Sequence, residues 1–153
     1  MALYLVQHGK SLPKEIDPDQ GLSDEGRSEV KRIADVSKGY GITMSIIEHS
    51  EKKRALQTAE IFASILKPIK GYQERTGLKP LDDVTAIAKT IESGSNTMLV
   101  GHQPFMGKLT SYLVTGSVDI PVFKFQNGGI LCLNKDPDTG SWMILWSLMP
   151  NIS

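Results

Sequence analysis

Two histidines, an arginine and a serine stand just past three apolar runs of this chain. Leu3-Tyr4-Leu5-Val6 leads into Gln7-His8-Gly9, Met44 to Ile47 leads to Ser50 and Arg54, and Met98-Leu99-Val100-Gly101 ends at His102. These residue types suit phosphorus chemistry. A neutral imidazole attacks through one ring nitrogen while the other gives its proton to a backbone carbonyl that fixes the tautomer. An arginine offers a planar fork for phosphate oxygens, and an imidazole just ahead of a helix start adds a donor beside the positive end of the helix dipole. Phosphoryl transfer asks for a nucleophile, positive groups around the equatorial oxygens, help for the leaving group and little else. In an open parallel α/β sheet the carboxyl ends of the strands meet at one crevice, so His8, Arg54 and His102 are expected to face a single anion.

Neighbouring residues extend the set. Gln7, Gly9, Lys10 and Ser50 lie where they would touch a bound phosphate. Two roles fit Ser50 and Gln57: phosphate contact, or a cap on the helix after the second strand. Two also fit Asp83, which is either the acid that protonates a leaving group or the N-cap of a helix. His49 is expected to be exposed or packed at a strand end, outside the site. The three histidines show no His-x-x-x-His spacing and no carboxylate pair, so no metal site is expected, and transfer through histidine calls for no cofactor.

The elements that must position these residues follow from pattern. After the first strand, the polar stretch from Lys10 to Gly21 carries Pro13 and Pro18 and reads as a loop. Ser23 is a good N-cap, Asp24 and Glu25 put negative charge in a first turn, and Val30, Ile33, Ala34 and Val36 supply apolar positions of a helix that Gly39 and Gly41 end. A second strand is expected over Met44–Ile47. Ala55, Ala59, Phe62, Ala63 and Leu66 then form a helical stripe closed by Pro68. Gly71 to Pro80 is irregular, with a short strand near Tyr72, and Asp82 or Asp83 caps a helix running to about Glu92 with Val84, Ile87, Ala88 and Ile91 inward. A strand at Met98–Val100 and a helix opened by Pro104, carrying Phe105, Leu109, Tyr112 and Leu113 to Gly116, meet at His102. Gly129–Asn134, a turn at Asp136 to Gly140 and Trp142–Leu148 read as a hairpin. The alternation predicts one α/β domain spanning the 153 residues, with a mainly parallel sheet and helices on both faces.

Composition excludes several classes of function. Seventeen Lys+Arg balance seventeen Asp+Glu, and no basic block or basic-aromatic stripe is present, so no nucleic-acid partner is expected. No apolar run approaches the ~20 residues of a membrane span, and Met1 leads almost directly into a strand, which together give a cytoplasmic expectation. The single Cys132 forms no internal disulfide, and between Leu131 and Leu133 it reads as a buried strand thiol.

The same residues carry a family resemblance. Leu5-Val6-Gln7-His8-Gly9 resembles the arginine-histidine-glycine signature of the histidine phosphatase superfamily. Ser50 through Arg54-Ala55-Leu56-Gln57-Thr58-Ala59 resembles its serine-proline-x-x-arginine-alanine-x-glutamine-threonine segment, and Gly101-His102-Gln103-Pro104 its glycine-histidine-x-proline segment. Leu22-Ser23 with Gly26 echoes the family's helix start, and Gly128-Gly129-Ile130 the opening of its last hairpin. Only about forty residues separate Thr58 from Met98, too few for a large inserted cap, so the chain is similar to the compact SixA-type phosphohistidine phosphatases. The resemblance implies a phosphoglycerate mutase-like fold and hydrolysis of phosphohistidine in a protein, or of a small phosphate ester. His8 would take the phosphoryl group, Arg54 and His102 would hold it, and water would complete the reaction.

Two positions depart from the family pattern: Gln7 replaces its arginine and Glu51 its proline. Glutamine donates a hydrogen bond but offsets no charge, and a charge-assisted bond contributes ~1.5–3 kcal/mol against ~1 for a neutral one. Lys10 is either a solvated loop lysine or a replacement for that lost charge. The alternative to an enzyme is a pseudo-phosphatase, a phosphate- or phosphoprotein-binding module whose turnover went with the arginine.

Overall fold

A computed structural model of the chain describes residues 2–91 and 95–152. Six strands form one sheet: β1 (Leu3–Gln7), β2 (Ile46–His49), β3 (Tyr72–Glu74), β4 (Thr97–Gly101), β5 (Ile130–Lys135) and β6 (Trp142–Leu148). Four helices connect them: α1 (Asp24–Gly39), α2 (Lys53–Leu66), α3 (Val84–Ala88) and α4 (Phe105–Thr115). The spatial order is β3-β2-β4-β1-β5-β6, with β3, β2, β4 and β1 parallel and β5 and β6 antiparallel. The α/β fold, mainly parallel and without an inserted cap, is the expected one.

Successive side chains of the central strands point to opposite faces, which makes two cores. Tyr4, Val6, Met98, Val100, Ile130 and Cys132 pack with Val30, Ile33 and Ala34 of α1 and Ala55, Ala59 and Phe62 of α2. Leu3, Leu5, Leu99, Leu131 and Leu133 pack on the other face with Val84 and Ile87 of α3 and Phe105, Met106 and Leu109 of α4. Strands buried on both faces read as continuous apolar runs, as these do. Cys132 is a buried thiol whose pKa burial pushes up to about 11, far from that of a nucleophile.

Several boundaries differ from the pattern reading, each for a local reason. β2 begins at Ile46 and runs through Glu48 and His49, two polar residues that apolarity alone placed outside it. Both find partners: Arg75 bonds Glu48 at 2.8 Å, and His49 Nδ1 lies 2.9 Å from the Ser50 carbonyl. α3 stops at Ala88, because the next residues tighten into i→i+3 bonds, Thr90 to Ile87 and Ile91 to Ala88. Ile91 still packs against the core, and Glu92, the expected end of that helix, lies outside the described residues. Val36 falls off the Val30-Ile33-Ala34-Ser37 stripe of α1 and is exposed.

Two glycines let α1 lie close against the turn after β1. A Cβ on Gly9 would stand 2.7 Å from Val30 Cγ2, and one on Gly26 would run into the Lys10 backbone carbonyl. Ser23 caps this helix as expected, accepting from Gly26 N at 3.0 Å.

Candidate active site

Register brings the three strand ends level. Gln7 of β1 lies opposite Gly101 of β4, and His49 of β2 opposite Val100, so His8, Ser50 and His102 emerge at one edge of three adjacent strands. Backbone bonds carry the ladder past the strands: His8 N donates to Gly101 O at 3.0 Å and Ser50 N to Val100 O at 3.1 Å. Because β4 lies between β1 and β2, residues 94 positions apart, His8 and His102, stand with ring centroids 5.0 Å apart.

The contacts of His8 fix its tautomer. Nδ1 lies 2.7 Å from the carbonyl of Gly9, an acceptor only, so Nδ1 carries the proton and Nε2 the lone pair. Arg54, in the first turn of α2, agrees with this assignment by donating from Nε to His8 Nε2 at 3.3 Å. The guanidinium and the lone-pair nitrogen of His8 are therefore in contact. Burial pushes the His8 pKa down to about 4, and the Arg54 charge presses the same way. Burial holds His102 at about 3, with the Arg54 and Lys52 charges pressing the same way. Both imidazoles are neutral at pH 7, and Arg54, drawn down by burial, remains charged.

His102 is fully buried; its Nε2 meets Ser50 Oγ at 2.5 Å, and its Nδ1 has no partner among the described residues. Ser50 Oγ also accepts from Lys52 N at 3.3 Å, so the serine both touches the site and caps the turn before α2. Gly9 gives His8 its carbonyl anchor, and Gln7 sits half-buried at the end of β1.

Other expected members are engaged elsewhere. Lys10 Nζ pairs with Glu25 at 2.8 Å and Glu29 at 3.6 Å, so carboxylates of α1 claim the charge that was to replace the missing arginine. Asp83 is exposed and caps α3, accepting from Thr85 N at 2.9 Å and Thr85 Oγ1 at 2.7 Å. Those bonds hold its carboxyl below the ordinary range, which suits a cap and not a proton donor. Asp82 lines a pocket of roughly 160 Å3 shared with Ser50 and Lys79, where it accepts from Lys79 N. Gln57 neither caps α2 nor reaches the histidines; its Oε1 accepts from Leu22 N at 2.7 Å. His49 is buried at its strand end, as expected.

Four further residues join the site: Thr58 and Gly128 lie within the motif segments, while Asn127 and Lys52 carry no signal of their own in the chain. Thr58 Oγ1 accepts from Gly9 N at 3.0 Å and donates to Arg54 O at 2.8 Å, tying the His8 turn to that of Arg54. Asn127 Nδ2 donates to His8 O at 2.9 Å and Gly128 N to Gln7 O at 2.8 Å, bracing the same turn from the segment before β5. Lys52, next to Ser50 in space and two residues before Arg54, forms no ion pair among the described residues.

A buried, neutral imidazole pair against an arginine at the carboxyl edge of a parallel sheet defines a phosphoryl-transfer class, and residues 3–82 match the Histidine phosphatase superfamily (branch 1). The chain belongs to that superfamily. It is 30% identical over 125 residues to an uncharacterised protein of Picosynechococcus sp. (strain PCC 7002), covering 76% of this chain and 74% of that protein. Its fold is that of the SixA structures. A tungstate complex of the protein histidine phosphatase SixA superposes with TM-score 0.80 at 23% identity, over 98% of this chain and 97% of that one. A phosphoserine phosphatase from Entamoeba histolytica in complex with 3-phosphoglyceric acid gives 0.72 at 16% identity, over 95% of each chain.

Proposed function

We propose that this protein is a phosphohistidine phosphatase working through a phospho-His8 intermediate. One observation carries the reading: His8 Nε2 holds its lone pair against the Arg54 guanidinium while Nδ1 is anchored to the Gly9 carbonyl. In the reaction this implies, Nε2 attacks phosphorus in line, and the P–N bond to the leaving imidazole breaks as the P–Nε2 bond forms. Arg54 and His102 hold the equatorial oxygens. Water then attacks phosphorus, the P–Nε2 bond breaks, and phosphate leaves with His8 neutral again. Neutrality of His8 matters because a protonated Nε2 has no pair to give.

The leaving group points to a phosphoamide. A phosphohistidine protonated on its far nitrogen departs as neutral imidazole and needs no strong acid, whereas an alkyl ester must be protonated as it leaves. Asp83, the acid the sequence offered, is spent on α3. A phosphorylated protein partner is therefore favoured over a small alkyl phosphate.

The test is incubation of the native chain with a phosphohistidine-bearing protein, measuring both phosphate release and transfer of label to His8. Release with label trapped on His8 by acid-free quenching is expected, and serine phosphate should turn over far more slowly. Label that never reaches His8 while phosphate is released would overturn the covalent route. Tight phosphate binding without release would make the protein a binding module.

A further inference from the structure

The site as described has a charge deficit. A phosphoryl dianion would meet two neutral imidazoles, the neutral Gln7 and one guanidinium. The neighbouring lysines are mostly neutralised: Lys10 by Glu25 and Glu29, Lys53 by Asp17 at 2.9 Å, and Lys79 by Glu51 at 3.0 Å. Lys52 is not. Its backbone N–H bonds the Oγ of Ser50, whose other partner is His102, and Lys52 and Arg54 line an open trough of roughly 670 Å3 beside the histidines' edge, together with Asp19 and Glu51. Lys14 lines the same trough, also with no carboxylate within ion-pair distance among the described residues.

We propose that Lys52 is a further substrate-binding residue, supplying from the α2 side the second positive charge that Gln7 does not supply from β1. Lys52 stands at the start of α2, where the helix dipole already favours an anion, and its ammonium has no carboxylate partner among the described residues to release before substrate enters. Its charge is felt at the reacting centre, because it is one of the causes that hold His102 neutral. This inference rests on the phosphatase reading, and the test separates the two.

Inorganic phosphate is titrated into the native chain at low ionic strength, followed by the imidazole resonances of His8 and His102, and compared with Lys52→Gln, Lys52→Arg and Lys67→Gln. Lys67 follows the far end of α2 and removes the same net charge. Lys52→Gln is expected to weaken phosphate binding about five-fold, the size of one partly exposed ion pair, and the loss should shrink as salt is added. Lys52→Arg should keep native affinity, as should Lys67→Gln. On a phosphohistidine peptide, Lys52→Gln should lower kcat/KM about ten-fold in the native background and much less in a Gln7→Arg background, since the two charges serve one dianion. Native-like phosphate affinity in Lys52→Gln, or an equal loss in both backgrounds, would overturn the role of Lys52 while leaving the phosphatase reading intact. Phosphate that leaves both imidazoles of the native chain unmoved would overturn the two together.

Discussion

The two walls of this site are built from opposite physics. One wall, His8, His102, Ser50 and Thr58, rises from the ends of buried strands and the inner side of α2, and its groups are hydrogen-bonded and neutral. The other, Arg54, borders an open trough that Lys52 and Lys14 also line, and carries the charge. Burial removes protons from imidazoles, and exposure lets cations stay charged without carboxylate partners. A site for a dianion needs both: a lone pair that no proton occupies, and positive charge that no internal anion has already neutralised.

Removing His8, the proposed nucleophile, breaks the buried wall outright. His8→Ala should lower turnover by a factor on the order of 10^4 or more and abolish covalent labelling, while phosphate still binds to Arg54, as single-turnover and binding assays would show. Arg54→Ala attacks the charged wall and should cost ~10²–10³ in kcat, with weaker phosphate binding as well, because the same fork serves ground state and transition state. If Arg54→Ala spared binding, the guanidinium would be acting on His8 alone.

Subtler changes sharpen the contrast. Gly26→Ala pushes a methyl group into the Lys10 carbonyl and should destabilise the fold by about 1–3 kcal/mol, seen in denaturant titration, with turnover reduced through the displaced His8 turn. Acid should act on the buried wall before the open one. An unfolded histidine protonates near 6.5, whereas folded His8 waits until about 4, so the unfolded chain takes up the proton first. Stability is therefore full above pH 6.5 and is lost progressively as pH falls towards 4; the His8 ring should stay neutral by NMR throughout that window. A His8 titration near 6.5 in the phosphate-free protein would refute the desolvated geometry. The smallest effect belongs to Asp83→Asn, which should lower the melting temperature through the α3 cap and leave kcat at the native level; a large fall in kcat would restore Asp83 as the proton donor.

Local chemistry determined much of this from sequence alone. Apolar runs at Leu3–Val6 and Met98–Val100 marked strands covered on both faces, Ser23 with Asp24 and Glu25 marked a helix start, and the stripe from Ala55 to Leu66 marked the inner side of α2. Each depends on neighbours a few residues away, which the sequence shows directly. The candidate chemistry was also legible, because His8, Arg54 and His102 each follow a strand. Where polar residues found partners, pattern misplaced the edge: Glu48 and His49 belong to β2, Glu48 paired across the fold with Arg75 and His49 held locally by the Ser50 carbonyl.

Only the tertiary structure decided what those residues could do. The order of strands set β4 between β1 and β2 and brought His8 to His102; register made their ends level. Long-range hydrogen bonds recruited Thr58 and Asn127, committed Gln57 to Leu22, and fixed the tautomer of His8. Protonation and charge followed from depth: the same histidine protonates near 6.5 in an open chain and stays neutral down to about 4 when buried beside an arginine. Lys10 and Lys52 are alike in sequence, each a lysine within two residues of a site residue, and they differ in the fold because Glu25 and Glu29 reach one while no carboxylate among the described residues reaches the other. Residue type is a property of the chain; desolvation and pairing are properties of the space around it.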